Sequence, residues 1–235
     1  MKTLFIIPAR GGSKGIVGKN IKLFAGKPLI CHTIDIARQF TTDDNICVTT
    51  DDDKIIETVN SYGLETPFKR PDYLSTDTAS TNEVLLHALK FYTNQGKHYE
   101  RLVLLQPTSP FRKYKHVYEA LEAYETSIDM VVSVKETEAS PYYLLFEEDA
   151  QGYLEVSKKI SEDIVRRQDV PKVYEYNGVV YVINIASFLQ TEKLSKLVRI
   201  KKFEMDSLHS IDLDTPLDWA YAEFLLEKGY LNIGN

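Results

Sequence analysis

Apolar residues along the chain fall into short β-branched runs separated by stretches with helical spacing. Thr3–Ala9 is a continuous apolar run ended by a glycine cluster, the mark of a strand buried on both faces. From Pro28 to Gln39, Leu29, Ile30, Thr33, Ile34 and Ala37 recur at helical intervals, and Pro28 suits a first helical position. Asn45–Thr50 predicts a second strand, and Lys54–Tyr62 a helix stopped by Gly63. Glu83–Asn94 predicts a helix with Val84, Leu85, Ala88, Leu89 and Tyr92 on one side, after a polar, turn-rich stretch over 65–82. Arg101–Leu105, Met130–Val134 and Val179–Ile185 predict further strands, Lys115–Thr126 a helix, and Ile211–Asp214 a short strand tip. Leu217–Glu227 predicts a closing helix with Trp219, Ala222, Leu225 and Leu226 inward. Tyr142–Glu147 and Gly152–Val156 flank the turn Asp149–Gly152 and predict a hairpin.

This alternation predicts a three-layer α/β fold: a mostly parallel, twisted, Rossmann-like sheet with helices on both faces. A single domain spanning residues 1–235 is expected, with an inserted sub-domain at about 135–177. The hydrophobic share of 43% excludes disorder as the main state. No apolar run reaches the ~18 residues of a membrane helix, so no membrane partner is expected. Cys31 and Cys47 form no CxxC pair and are expected as free thiols of a cytoplasmic protein. The five histidines show no zinc spacing.

Net charge is −6, which argues against a nucleic-acid surface. The charge is unevenly placed, however. Residues 1–34 hold Lys2, Arg10, Lys14, Lys19, Lys22 and Lys27 and no acid, so the remainder carries −12. An acid-free basic segment at the start of an acidic chain points to a bound anion.

Arg10–Asn20 concentrates that charge, with four glycines and the cations Arg10, Lys14 and Lys19 directly after the first strand. Glycine lets backbone N–H groups converge on a phosphate, and the cations neutralise it. The dinucleotide pattern GxGxxG is absent, which disfavours a Rossmann oxidoreductase. The Walker pattern fails as well, because Ser13 stands at its first glycine and Asn20 follows Gly18-Lys19.

Five segments resemble the acylneuraminate cytidylyltransferases, the CMP-sialic acid synthetase family of bacterial type, in that family's order. They are IIPARGGSKGIVGKNIK with GKPLI, RPDYLSTDTAS at 70–80, LQPTSPFR at 105–112, RRQDVPKVYEYNGVVYVI at 166–183 and SIDLDTPLDW at 210–219. Val17 and Tyr176 stand where many members have proline; they bear on the sugar and leave the charged groups intact.

The resemblance implies a nucleotide-diphospho-sugar transferase-like fold. It also implies transfer of CMP from CTP to the anomeric hydroxyl of a sialic-acid-like nonulosonic acid, releasing pyrophosphate. It implies phosphate contacts from Arg10 and Lys19, with Lys14 following charge onto the transferring phosphate. Gly11, Gly12, Ser13 and Asn20 are expected at the nucleotide, Arg70 and Ser80 at the base, and Asp77 ordering their loop. Gln106, Thr108, Ser109, Arg166, Arg167, Asn177 and Tyr181 are expected at the sugar acid, with Arg166 and Arg167 not separable as its carboxylate clamp and Phe188 a further candidate. Asp212 and Asp214 sit at i and i+2, which in an extended strand puts both carboxylates on one face for Mg2+. Asp51–Asp53 is read as a helix cap rather than a metal site. The family also implies a homodimer through the inserted segment. The alternatives are a shorter-sugar (Kdo) cytidylyltransferase and a non-catalytic nucleotide-binding protein; Gly11–Lys14 and the RRQ and NG segments favour the nine-carbon branch over the first, and retention of Lys14, Asp212 and Asp214 speaks against the second.

Overall fold

The computed structural model describes residues 1–13, 15–76, 78–159 and 169–233. Six strands form one sheet: β1 (Thr3–Pro8), β4 (Ile46–Thr49), β5 (Arg101–Leu104), β6 (Met130–Glu136), β9 (Tyr174–Asn184) and β10 (Ile200–Glu204). Their order across the sheet is β10-β6-β9-β5-β1-β4. β1 pairs parallel with both β4 and β5, and β10 pairs parallel with β6. Only β9 runs against its neighbours β5 and β6.

Alternate residues of β1 feed two cores. Phe5 and Ile7 pack with α1 (Leu29–Arg38), α2 (Asp53–Ser61) and α4 (Tyr114–Glu122) through Ile34, Val59 and Val117. Leu4 and Ile6 pack with α3 (Thr81–Asn94) and α5 (Ile185–Thr191) through Leu85, Ala88 and Phe188. Burial on both faces explains why the central strands read as unbroken apolar runs. A third cluster seats α6 (Pro216–Glu227) on Phe24 of the two-residue strand β2 (Leu23–Phe24), which pairs with β3 (Lys27–Pro28); the Trp219 and Phe24 ring centroids lie 5.1 Å apart. No described helix is long and apolar enough to cross a membrane.

Several sequence expectations are corrected. Pro28 is not the first residue of α1 but its extended N-cap, because β3 occupies Lys27–Pro28. Ile211–Asp214 is not a strand. The segment is a loop whose Leu213 N–H donates to the Thr108 carbonyl, so the alternating-face argument for Asp212 and Asp214 does not apply. β9 begins five residues before the predicted start, past a register shift between Val132 and Val134 where its side chains become exposed and the apolar signal disappears. The expected hairpin exists between β7 (Phe146–Glu148) and β8 (Leu154–Val156), but Tyr142–Leu145 precede it as a turn, with Leu144 and Leu145 N–H both donated to the Ser140 carbonyl. Leu144, Leu145, Phe146, Tyr153 and Leu154 are all exposed on this element. β10 and α5 were not expected from the pattern: β10 is an edge strand of exposed and half-buried residues, and α5 follows β9 without a break.

One buried charge ties these parts together. Arg112, 2% exposed, donates from Nε to the Val179 carbonyl at 2.8 Å, from Nη2 to the Gln106 carbonyl at 2.6 Å and from Nη1 to Thr33 Oγ1 at 3.3 Å. It therefore joins β9, the segment after β5 and α1. Burial pulls its pKa down to about 9, which leaves it charged at neutral pH. Arg112→Met would leave three buried acceptors without a donor. We expect it to lower unfolding stability by about 3 kcal/mol in urea denaturation. Arg112→Lys should recover only part of the loss, because an ammonium cannot reproduce the planar fork.

Candidate active site

In open α/β sheets, ligands bind outside the carboxyl ends of strands where the chain reverses its direction of travel across the sheet. Here the chain moves from β1 outward to β4, then crosses back to β5 on the other side of β1. A cavity of about 540 Å³ opens at that point. Pro8 marks the end of β1 in its wall, and Gln106, Pro107 and Thr108 follow β5. Arg10, Ser13, Gly15, Lys19, Asn20, Arg70 and Asp214 also line it. Most of the expected phosphate-side residues thus meet two of the expected sugar-side residues in one cleft.

The glycine loop is fastened at both ends. A Cβ on Gly11 would stand 2.3 Å from Asp52 Oδ2, and one on Gly15 would stand 2.0 Å from the Asp214 carbonyl oxygen. These glycines allow close approach, whereas Gly12 faces open space. Asp51 accepts from the Gly11 N–H at 3.2 Å and from Arg70 Nη2 at 3.1 Å. Burial opposes ionisation of Asp51, but these donors outweigh it and hold its carboxyl below the usual range. Asp52 caps α2 through the Lys54 and Ile55 N–H groups, as expected for this acidic run. Asn20 Nδ2 donates to the Arg10 carbonyl at 3.0 Å. Lys19 is buried and donates to the Leu213 carbonyl at 2.6 Å and to Asp214 Oδ1 at 2.9 Å.

Asp212 lies beside Asp214 with its Oδ1 buried and without a hydrogen-bond partner. Burial first, then the neighbouring Asp214 charge, push its carboxyl above the ordinary range despite a hydrogen bond to Thr108. Lys19 already meets Asp214, so it is the unpartnered Asp212 oxygen beside that pair which fits a divalent cation. The described residues contain no cluster of three or more potential ligands, so phosphate oxygens and water would have to complete the shell.

Other expected residues lie elsewhere. Ser80 caps α3, its Oγ exchanging hydrogen bonds with Glu83 in a capping box, while Ala79 and Thr81 line the cavity on either side of it. Asn177 is buried and spends its amide on Ser133 Oγ, the Val179 N–H and Ser210 Oγ at the β9 bulge. Ser109 is buried with its hydroxyl unpartnered. Tyr181 is half-buried against Tyr176, their ring centroids 6.1 Å apart. Gly11 and Gly12 do not contribute to the lining. Lys14, Asp77, Arg166 and Arg167 lie outside the described residues. Asp51 is expected only as part of a cap and shows its further role through its partners; Leu74 and Thr76 in the wall fall in the polar stretch before α3, and Val84 on the helix itself, none of them expected at the site.

The sequence model of the family described as cytidylyltransferase matches residues 4–232. The chain belongs to the cytidylyltransferase family. It is 35% identical over 228 residues to the CMP-N,N'-diacetyllegionaminic acid synthase of Legionella pneumophila, covering 97% of both chains. It is 32% identical to the pseudaminic acid cytidylyltransferase of Campylobacter jejuni, covering 98% of both. With the N-acylneuraminate cytidylyltransferase of Streptococcus agalactiae it shares 36% identity, covering 94% of this chain but 52% of that protein. The chain thus spans about half the length of that relative. Among solved structures, CMP:2-keto-3-deoxy-manno-octonic acid synthetase complexed with CTP superposes with a TM-score of 0.68 at 19% identity, covering 97% of this chain and all of that one. That likeness concerns the fold.

The two glycine contacts give a graded test. Gly15→Ala should lower affinity for the nucleoside triphosphate by ~10²-fold, because a backbone oxygen blocks the new methyl. Gly12→Ala should change it less than twofold. Titration calorimetry of both variants checks this.

Proposed function

We propose that this cytidylyltransferase transfers CMP from CTP to the anomeric hydroxyl of a nonulosonic acid and releases pyrophosphate. The observation that carries the proposal is the cleft where the basic glycine loop, Gln106, Thr108 and Asp214 converge, with the buried Asp212 carboxyl next to Asp214 and in contact with Thr108. Its volume of about 540 Å³ suits a nucleotide with a sugar acid. Relatives named for legionaminic, pseudaminic and neuraminic acids support the nine-carbon class over the shorter Kdo sugar. A non-catalytic nucleotide binder would have no need of the paired carboxylates.

In this account the anomeric oxygen forms a bond to the α-phosphorus in line as the bond to the bridging oxygen breaks, and the hydroxyl proton leaves to solvent or phosphate oxygen. The glycine loop, with Arg10, Lys19 and Lys14, holds the triphosphate and meets the charge that develops on pyrophosphate. Lys19 is already oriented by Asp214 and the Leu213 carbonyl, so little side-chain freedom is lost on binding. Arg70, fixed by Asp51 and by Ser75 Oγ, stands at the nucleoside end of the cleft with Ser80 nearby. Gln106 and Thr108 orient the sugar acid, with Ser109, Asn177 and Tyr181 behind them and Arg166 or Arg167 as its carboxylate clamp. Asp212 and Asp214 would hold Mg2+, which supplies positive charge to the phosphates.

Pyrophosphate release should require CTP and one of neuraminic, legionaminic or pseudaminic acid. Absence of turnover with every acid would remove the enzyme reading of this pocket. Asp212→Asn should lower turnover by ~10²-fold or more while leaving the urea midpoint within experimental scatter. Equal activity of this variant would reject the metal assignment.

The exposed apolar side chains of β7, β8 and the turn before them support a homodimer through the inserted segment. As part of the same proposal we assign this CTP-dependent reaction to the cytoplasm. Sedimentation velocity should give a dimer for the native chain and a monomer for Leu145→Asp with Leu154→Asp; a native chain that stays monomeric at micromolar concentration contradicts the dimer.

A further inference from the structure

Aromatic side chains stand on the sheet beside the cleft. β9 carries Tyr176 and Tyr181 five residues apart, which in a regular strand would send them to opposite faces. The register shift between Val132 and Val134 changes that. Tyr181 pairs with Val132 and Tyr176 with Val134, and directly paired residues share a face. Val132 and Val134 belong to the core beneath α3, so both rings stand on the α3 side of the sheet. Thr81 and Val84 of α3 line the nucleotide cleft on that same side.

Two contacts join the rings to the cleft. A Cβ on Gly178 would lie 3.5 Å from Gln106 Oε1, and Gln106 lines the cleft. Tyr176 is two residues along β9 from that contact, about 6–7 Å of strand. The Tyr181 ring stands edge-on to Tyr176, with centroids 6.1 Å apart. Burial first, then Tyr176 and Asp212, push the Tyr181 hydroxyl pKa up, so Tyr181 sits between the outer ring and the acid that meets Thr108. The outer ring is uncovered: Tyr176 is 54% exposed, whereas Tyr181 is half-buried.

The charges that share this face are spent on one another. Glu204 lies beyond Val134 in the row of Tyr176 and pairs with Lys202 at 2.6 Å. Lys202 Nζ also sits 3.8 Å from the centroid of the Tyr174 ring. Glu136, opposite Tyr174, pairs with Lys172 at 2.6 Å. What Tyr176 offers a ligand is therefore an aromatic face, which attracts C–H bonds and amide N–H edges. It offers little to a run of hydroxyls, which lose water over a ring without gaining equal acceptors.

We propose that Tyr176 is a specificity-determining residue of the sugar site: it selects a nonulosonic acid whose tail carries a second acylamino group and a terminal methyl over one with a bare triol tail. The inference rests on the transfer reaction proposed above. The anomeric carbon must face the α-phosphate in the cleft. That leaves the tail, on the far side of the sugar ring, to run along β9 onto Tyr176.

Pyrophosphate release by the full chain with CTP, read as kcat/KM for each acid, tests it. Diacetylated legionaminic and pseudaminic acids are stereoisomers that carry the second acetamido group and the methyl; N-acetylneuraminic acid carries the triol. The native chain should favour the better diacetylated acid by ~10-fold or more. Tyr176→Ala should lower kcat/KM for that acid by ~10-fold or more through KM, and for N-acetylneuraminic acid less than threefold. KM for CTP should stay within twofold. Tyr176→Phe, which keeps the ring, should keep the native preference. Equal native use of both kinds of acid overturns the proposal, as does a preference that survives Tyr176→Ala or an equal loss on every acid. A loss that comes with a shift from dimer to monomer in sedimentation also overturns it and gives the ring to the subunit interface. Each of these leaves the transfer reaction standing, whereas a native chain that uses none of the acids removes both.

Discussion

The buried Arg112 guanidinium is the constraint from which the site's geometry follows. A charge almost fully removed from water must be surrounded by acceptors, and here these come from three elements that are distant in sequence: α1, the segment after β5, and β9. The interaction matters most at β9, the one strand of the six-stranded sheet that runs against its neighbours. Beside it the Asn177–Ser133–Ser210 network fills the bulge, and Gly178, at φ +75°, lets the backbone turn with Gln106 packed 3.5 Å from where a Cβ would sit. The wall of the cleft is thus set by polar groups that have little freedom to relax.

The opposite wall is set by contact between glycines and acids. The segment that carries the chain's basic surplus is pressed against Asp51 and Asp52 on one side and Asp214 on the other. The overall charge of −6 conceals this arrangement. Acids at the rim fix the loop and the cations, and the space between them is left for a polyanion. Because Asp51 is held ionised by the Gly11 N–H and Arg70, the lock is complete above ordinary carboxylate pKa values. It is lost only as pH falls through the depressed pKa of the folded state.

Much of the fold was legible because the central strands are buried on both faces, so β1, β4, β5 and the later part of β9 announce themselves as apolar runs. The polar start of β9 and the edge strand β10 carried no such signal, since their neighbours leave half of each residue in water. Of the site, the glycine loop, Gln106 and Thr108 were readable from residue type and from their position after strands. By sequence Asp51 is only part of a helix cap, and Arg112 only the last residue of LQPTSPFR, with no role apparent from spacing. Both act through partners remote in sequence, Asp51 through Gly11 and Arg112 through Val179, and spacing along one segment cannot reveal that. The same limit applies to Asn177 and Ser80, whose hydrogen bonds turn out to be spent on the bulge and on the α3 cap.

The central claim is that one cleft, between the ends of β1 and β5, holds the nucleotide for transfer. A crystal structure of the chain with CTP tests it most directly. The account predicts the triphosphate along residues 10–19 with the cytosine toward Arg70 and the α-phosphate facing Gln106. A triphosphate bound away from the glycine loop would contradict it.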